Sequence, residues 1–250
     1  MGTFDIGVWL TSDLYNFGTG DPSTALDKFI TNAFNDAGHS VDLDIHTPNP
    51  SPPNENIVGD GWPADDTMKC DGHYAEVTYD SLDEWWNDWH YCKADYTHDD
   101  ANLLVTNHDG DYGVTTGSCS DTRSHLCVAE ASQCGDLADE STSAEGSETR
   151  YAQMYASVIH ELGHAAINEY QSADCGSSPL AEEQMARSWY ESSDGPARCT
   201  PMVSWDNDNG SVNECCADLV ENPYGTGTKI YWQSTYSDCT TNHIESCSDR

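Results

Sequence analysis

Apolar positions recur along the chain with two periods, near two and near 3.6 residues, and the changes between them predict the elements. Phe4 to Leu10 (FDIGVWL) reads as a strand. Asp21-Pro22-Ser23-Thr24 opens a helix that runs to about Ala37 and is stopped by Gly38. Ser40 to His46 (SVDLDIH) alternates like a strand with one covered face. The chain therefore begins strand–helix–strand. Thr47 to Asp66 is rich in Pro, Asn and Gly and is expected to be loop. Ser81 to Tyr91 is an amphipathic helix whose three tryptophans, Trp85, Trp86 and Trp89, read best as core packing. Ala101 to Asn107 (ANLLVTN) is a buried-type strand and Asp109-Gly110-Asp111 a turn. Tyr112–Gly117 and Leu126–Ala131 are further strands.

Gly135 to Glu148 is small, polar and acidic, a loop before a helix over Tyr151 to Tyr170 that Ser147 or Thr149 is placed to cap. In that helix Tyr155, Val158, Ile159, Leu162 and Ala166 are spaced for one buried side. Leu180 to Tyr190 reads as another helix, Cys199 to Gly210 as loop, and Ser211 to Val220 as a short helix ended by Asn222-Pro223. Lys229 to Gln233 is strand-like and leads into a cysteine-tied tail. No internal repeat and no linker interrupts the pattern, and 250 residues suit one α+β domain.

Composition narrows what such a domain does. Against 44 Asp plus Glu stand 9 Lys plus Arg, a formal charge of −35. Phosphate binding needs clustered Lys and Arg, so a nucleic-acid partner is excluded, and an anionic membrane surface would repel the chain. The acid is spread along the whole length with Trp and Tyr between, which predicts a folded protein with a carboxylate-coated surface. Such surfaces, with very few lysines, resemble those of proteins from extreme halophiles. In molar salt the Debye length falls to about 3 Å and the self-repulsion is screened.

The 11 cysteines include no C-x-x-C pair. They predict disulfides in an oxidising, extracellular compartment, with at least one thiol left over. Proximity favours Cys119–Cys127 and Cys239–Cys247. No run approaches the roughly 20 apolar residues of a membrane span, and no signal peptide is visible.

The most specific chemistry is His160-Glu161-Leu162-Gly163-His164, an H-E-x-x-H sequence. On a helix, His160 and His164 share a face and can bind one Zn2+ at roughly 2.0–2.1 Å. Glu161 then sits beside the metal, where it can take a proton from zinc-bound water as a general base.

With this motif the chain resembles zincin metallopeptidases, which place H-E-x-x-H on the active helix of a lobe of twisted sheet and helices. The resemblance implies a secreted zinc metalloendopeptidase, a single zincin-like catalytic domain over 1–250. Its upper lobe would be 1–170, with a mixed sheet and the active helix. Its lower lobe would be 171–250, smaller and mostly helical or irregular. The stretches Leu103-Leu104-Val105-Thr106, Gly117-Ser118-Cys119 and Cys127-Val128-Ala129 look like the sheet edge of metzincins. Metzincins extend the motif to H-E-x-x-H-x-x-G-x-x-H, but here Ile167 stands for the Gly and Tyr170 for the ligand. Without that Gly the helix is expected to continue to about Cys175-Gly176. Gluzincins take a glutamate from an E-x-x-A-D pattern, and Glu214-Cys215-Cys216-Ala217-Asp218 fits it. Glu214 would bind zinc and Asp218 would orient a ligand histidine. Glu182, Glu183, Asp174 and Glu169 are alternatives. Cys199-Thr200-Pro201-Met202-Val203-Ser204 looks like a metzincin Met-turn, with Met202 under the metal.

Tyr224, Tyr231, Tyr236 and His243 are candidate oxyanion donors. Calcium (Ca2+) is a further candidate ion, at His108, Asp109 and Asp111 or at Asp206 to Gly210, although neither stretch has the spacing of an EF-hand loop, and Asn209-Gly210-Ser211 is a glycosylation sequon. The partner implied is a peptide or protein substrate; specificity would lie in loops such as 171–210, and oligomeric state is not legible. The competing reading is an inactive zincin-like surface or binding domain with structural zinc.

Overall fold

The structure is a computed structural model, and it describes residues 2–57, 61–110, 112–119, 124–142, 146–167, 188–190, 197–202 and 230–249. β1 (Thr3–Leu10) is followed by a short helix α1 (Ser12–Phe17), by α2 (Pro22–Asp36) and by β2 (Ser40–His46). Asp21 caps α2 by accepting from the Thr24 amide, Pro22 supplies the first-turn φ, and Gly38 ends it at φ 85°. A hairpin, β3 (Ala64–Cys70) and β4 (His73–Tyr79), precedes α3 (Leu82–Lys93), β5 (Ala101–Thr106), β6 (Gly113–Gly117) and β7 (His125–Glu130). The main sheet has five strands in the order β2-β1-β5-β7-β6, parallel except for β6, which runs antiparallel to β7 at the edge.

Burial explains the strand compositions. β5 and β7 lie inside the sheet and are covered on both faces, so every residue of each is buried. β2 is an edge strand, and its alternating exposure matches its alternating sequence. Side-chain alternation splits the core in two. Phe4, Ile6, Val8 and Leu10 of β1 join α2 and the helix bearing His160 in one cluster. Trp9 faces the other way, into a second cluster with Trp85, Trp86 and Trp89 of α3. The tryptophans are core, as expected.

The hairpin has no counterpart in the expected elements. Its strands are mostly exposed: β3 (ADDTMKC) lacks hydrophobic alternation, and β4 carries only the short Ala75-Val77-Tyr79 run. Asp71 (φ 50°) and Gly72 (φ 82°) form a turn with two positive φ values, the geometry that suits a twisted two-residue hairpin. Met68 and Tyr79 are its buried contribution, and Cys70–Cys92 ties it to α3.

Beyond the sheet, β8 (Ser188–Tyr190), β9 (Ala197–Cys199) and β10 (Ile230–Trp232) form a three-stranded sheet ordered β10-β9-β8. Ser188–Tyr190 was expected as the end of a helix. These residues are extended instead, because ladder pairing with β9 satisfies their backbone. The expected helix over 211–220 lies outside the described residues. A last helix, α6 (Asp238–His243), is capped by Ser237. Trp232, Tyr236 and Ile244 enter the main core, so the tail packs on the sheet lobe.

The disulfide pairing corrects the expectation from proximity. Cys119 bonds Cys247, across 128 residues, because the tail returns to the β6–β7 end of the sheet. Cys127 is a buried free thiol inside β7, and Cys239 is disulfide-bonded to a partner other than Cys247. Cys134 and Cys199 are also free and buried.

Candidate metal centre

The helix carrying the motif is continuous through α4 (Thr149–Ala152), a π-helical stretch (Gln153–Ile159) and α5 (His160–Ala166). Its N-cap is Glu148, with no side-chain cap bond, so neither Ser147 nor Thr149 takes that role. The widened π turns end at His160, a placement common at functional sites. Side chains from elsewhere anchor them: the Ser157 hydroxyl donates to the Tyr112 carbonyl at 2.6 Å, and the Tyr236 hydroxyl to the Ile159 carbonyl at 2.7 Å.

The helix ends at Ala166, short of the expected run to about Cys175. Ile167 turns extended (φ −73°, ψ 131°), bridges to Ile244 and is fully buried. The Glu245 amide takes the Ala166 carbonyl at 2.9 Å. Tertiary pairing with the tail thus ends the helix where no glycine does.

His160 and His164 meet as the i, i+4 spacing requires, Nε2 to Nε2 at 3.0 Å. His160 is buried, and its Nδ1 lies 2.7 Å from the Pro201 carbonyl, which can only accept. The proton therefore sits on Nδ1 and the Nε2 lone pair faces His164. Burial, and then the neighbouring His164, push the His160 imidazole down to about 3, so the ring is neutral. Two nitrogens bound to one tetrahedral zinc stand about 3.3 Å apart, close to the spacing found here. The donor set and the backbone carbonyl behind His160 therefore fit Zn2+.

Glu161 is buried beneath the edge strand β6. Thr115 Oγ1 lies 2.7 Å from its Oε2 and 2.9 Å from its backbone oxygen. Gly113 makes room for it: a Cβ there would stand 2.6 Å from Oε1 and 2.7 Å from Cδ. The carboxylate and both imidazoles present ligand atoms within 4.8 Å of one another.

The chain matches no known protein family model, no curated protein and no solved structure.

Met202 is fully buried, and its Sδ packs against Gly163, with no room for a Cβ between them. The Pro201-Met202 turn thus holds His160 through one residue and supports the motif's glycine through the next. Tyr236 does not serve as an oxyanion donor: it is buried and its hydroxyl is committed to Ile159. His243 Nδ1 faces the Cys239 carbonyl at 2.8 Å, and the Tyr231 ring lies against Arg198. Asp109 is part of a structural network, accepting from Gln133 Nε2 at 2.7 Å and Gln153 Nε2 at 3.2 Å, and His108 pairs with Glu130, which does not resemble a calcium cage. Glu214, Asp218, Glu182, Glu183, Asp174, Glu169, Tyr224, Asp111 and the 206–211 stretch lie outside the described residues. Thr115, Gly113 and the Pro201 carbonyl were missed by the sequence reading. None carries a local signature, although a Thr and a Gly on the strand before the motif helix are a place to look.

Proposed function

We propose that the chain is a zinc-dependent endopeptidase of zincin type that acts outside the cell at high salt. The observation that carries this reading is the pair of imidazole Nε2 atoms 3.0 Å apart, one ring tautomer set by Pro201, with the Glu161 carboxylate beside them. His160 and His164 would hold the metal, with Glu214 as the proposed third ligand. The bound ion would supply Lewis acidity, polarising the scissile carbonyl and acidifying water.

Glu161 accepts a proton from the attacking water and delivers it to the amide nitrogen as the C–N bond breaks. Thr115 fixes the rotation of the carboxylate through Oε2. Because β6 is the outermost strand of the described sheet and touches Glu161 through Thr115, an extended peptide can pair along it and bring its carbonyl to the site. The burial of Glu161 and His160 excludes bulk water from the proton transfer. The disulfides Cys70–Cys92 and Cys119–Cys247 support an oxidising compartment, and no described helix is long and apolar enough to cross a membrane.

The test is casein cleavage in molar salt, with and without a chelator, for the wild type and Glu161→Gln. The expected loss for the variant is about 10²–10⁴-fold at unchanged zinc content. Wild-type activity in Glu161→Gln refutes the base assignment. Bound zinc without any cleavage favours the inactive binding domain.

A further inference from the structure

A second group of side chains converges on the opposite face of the sheet. Asp44 and His46 lie two residues apart on β2 and so share a face. They pair with Gly7 and Trp9 of β1, on the α3 side. His98, from the connection between α3 and β5, reaches the same spot: its Nε2 is 2.6 Å from His46 Nε2. Ligand atoms of Asp44, His46 and His98 all lie within 4.8 Å of one another.

Two features distinguish this group from a chance contact. The first is orientation. His98 Nδ1 is 2.6 Å from the Asp5 carboxylate, which only accepts, so Nδ1 carries a proton and the ring is held with Nε2 turned toward His46. A carboxylate behind an imidazole is the usual support of a metal-binding histidine. The second is a preformed cradle. His98 is buried, and its backbone amide and carbonyl are both held by Asn102, at 2.9 and 3.0 Å. Its ring lies across Gly7, where a Cβ would come within 2.9 Å of Nε2. The His46 ring is stacked between Trp9 at 4.5 Å and Tyr96 at 5.0 Å. In a chain with 44 acids and 9 Lys plus Arg, a bound cation also offsets the Asp5 and Asp44 charges.

We infer that Asp44, His46 and His98 form a second site for a divalent transition-metal ion, which clamps the α3–β5 connection to the edge strand β2. Two imidazoles and one carboxylate suit ions of the zinc, cobalt and copper class rather than Ca2+ or Mg2+. Asp5 is a positioning residue. Asp44 is exposed, so the remaining coordination position faces solvent. The site is separate from His160 and His164, whose helix packs on the Phe4–Ile6–Val8 face.

The test is Co2+ binding to the chelator-treated full chain in molar salt, followed by visible absorption and equilibrium dialysis. His46→Phe keeps a ring between Trp9 and Tyr96 while removing the ligand, and circular dichroism checks its fold. It is expected to bind one Co2+ fewer than the wild type and to keep its cleavage of casein. His160→Ala/His164→Ala is expected to lose a different Co2+ and to retain the one that His46→Phe removes. Asp5→Asn should weaken the second site about 10- to 100-fold. Equal Co2+ counts for the wild type and a folded His46→Phe overturn the proposal and show that the two rings merely share a proton. Should the His160 reading fail instead, the double alanine variant alone leaves the count unchanged, so the two failures are told apart.

Discussion

Gly113→Ala is the sharpest probe of how the sheet positions the proposed base. Gly113 has no positive φ, so alanine fits its backbone and even gains about 0.5–1 kcal/mol from a stiffer unfolded chain. The steric side is different. The added Cβ would stand 2.6 Å from Glu161 Oε1 and 2.7 Å from Cδ, and nearer still to Cγ. An ordinary contact is about 3.5 Å, so the carboxylate must retreat by roughly 1 Å. Overpacking of this kind costs about 1–3 kcal/mol, which after the backbone gain leaves a net loss of about 0–2.5 kcal/mol. The functional cost is larger than the structural one, because a misplacement of about 1 Å at a reacting group can cost on the order of 10²-fold. His160 and His164 are untouched, so zinc content should not change. The assay is kcat/KM on a quenched peptide in molar salt, with zinc by elemental analysis and stability by urea unfolding on the same preparation. A Gly113→Ala protein with wild-type kcat/KM would refute the placement of Glu161 under β6, and one that loses its zinc would show that the strand positions the ligands rather than the base.

Tyr236→Phe removes the hydroxyl that donates to Ile159 and should cost about 1–3 kcal/mol in urea unfolding with activity within about twofold; a large fall in kcat would restore Tyr236 as a catalytic donor. Replacing Cys119 and Cys247 together by serine opens a loop of 128 residues. Chain entropy sets the loss at about 4–5 kcal/mol, visible as a Tm lower by about 10 °C or more, and an unchanged Tm would contradict the pairing. Burial pushes the Cys127, Cys134 and Cys199 thiols up to about 12. Their folded values lie above those of the unfolded chain, so this stability is complete below about pH 9 and is lost as pH rises towards 12. The slope approaches about 1.4 kcal/mol per unit for each thiol. Urea midpoints that stay flat from pH 8 to 10.5 would count against this burial.

Much of the molecule is legible one residue at a time. The β1–α2–β2 opening follows from alternation, an Asp cap, a first-turn Pro and a terminating Gly, all signals that act within a few residues. The motif is equally local: i, i+4 spacing on a helix brings His160 and His164 together whatever else the chain does. Chain-long acidity is likewise a property of composition and needs no fold to be read. What tertiary structure alone decides is the set of partners that complete these groups. Pro201 meets His160 across 41 residues, Thr115 meets Glu161 across 46, His98 meets His46 across 52, and Cys247 meets Cys119 across 128. Ile167 leaves the helix because Ile244 pairs with it, and the β3–β4 hairpin forms on mostly exposed strands that the core covers only at Met68 and Tyr79. Periodicity and capping are short-range forces written into neighbouring residues. The tautomer of an imidazole and the rotation of a carboxylate are set instead by whichever distant group the fold brings within hydrogen-bonding reach.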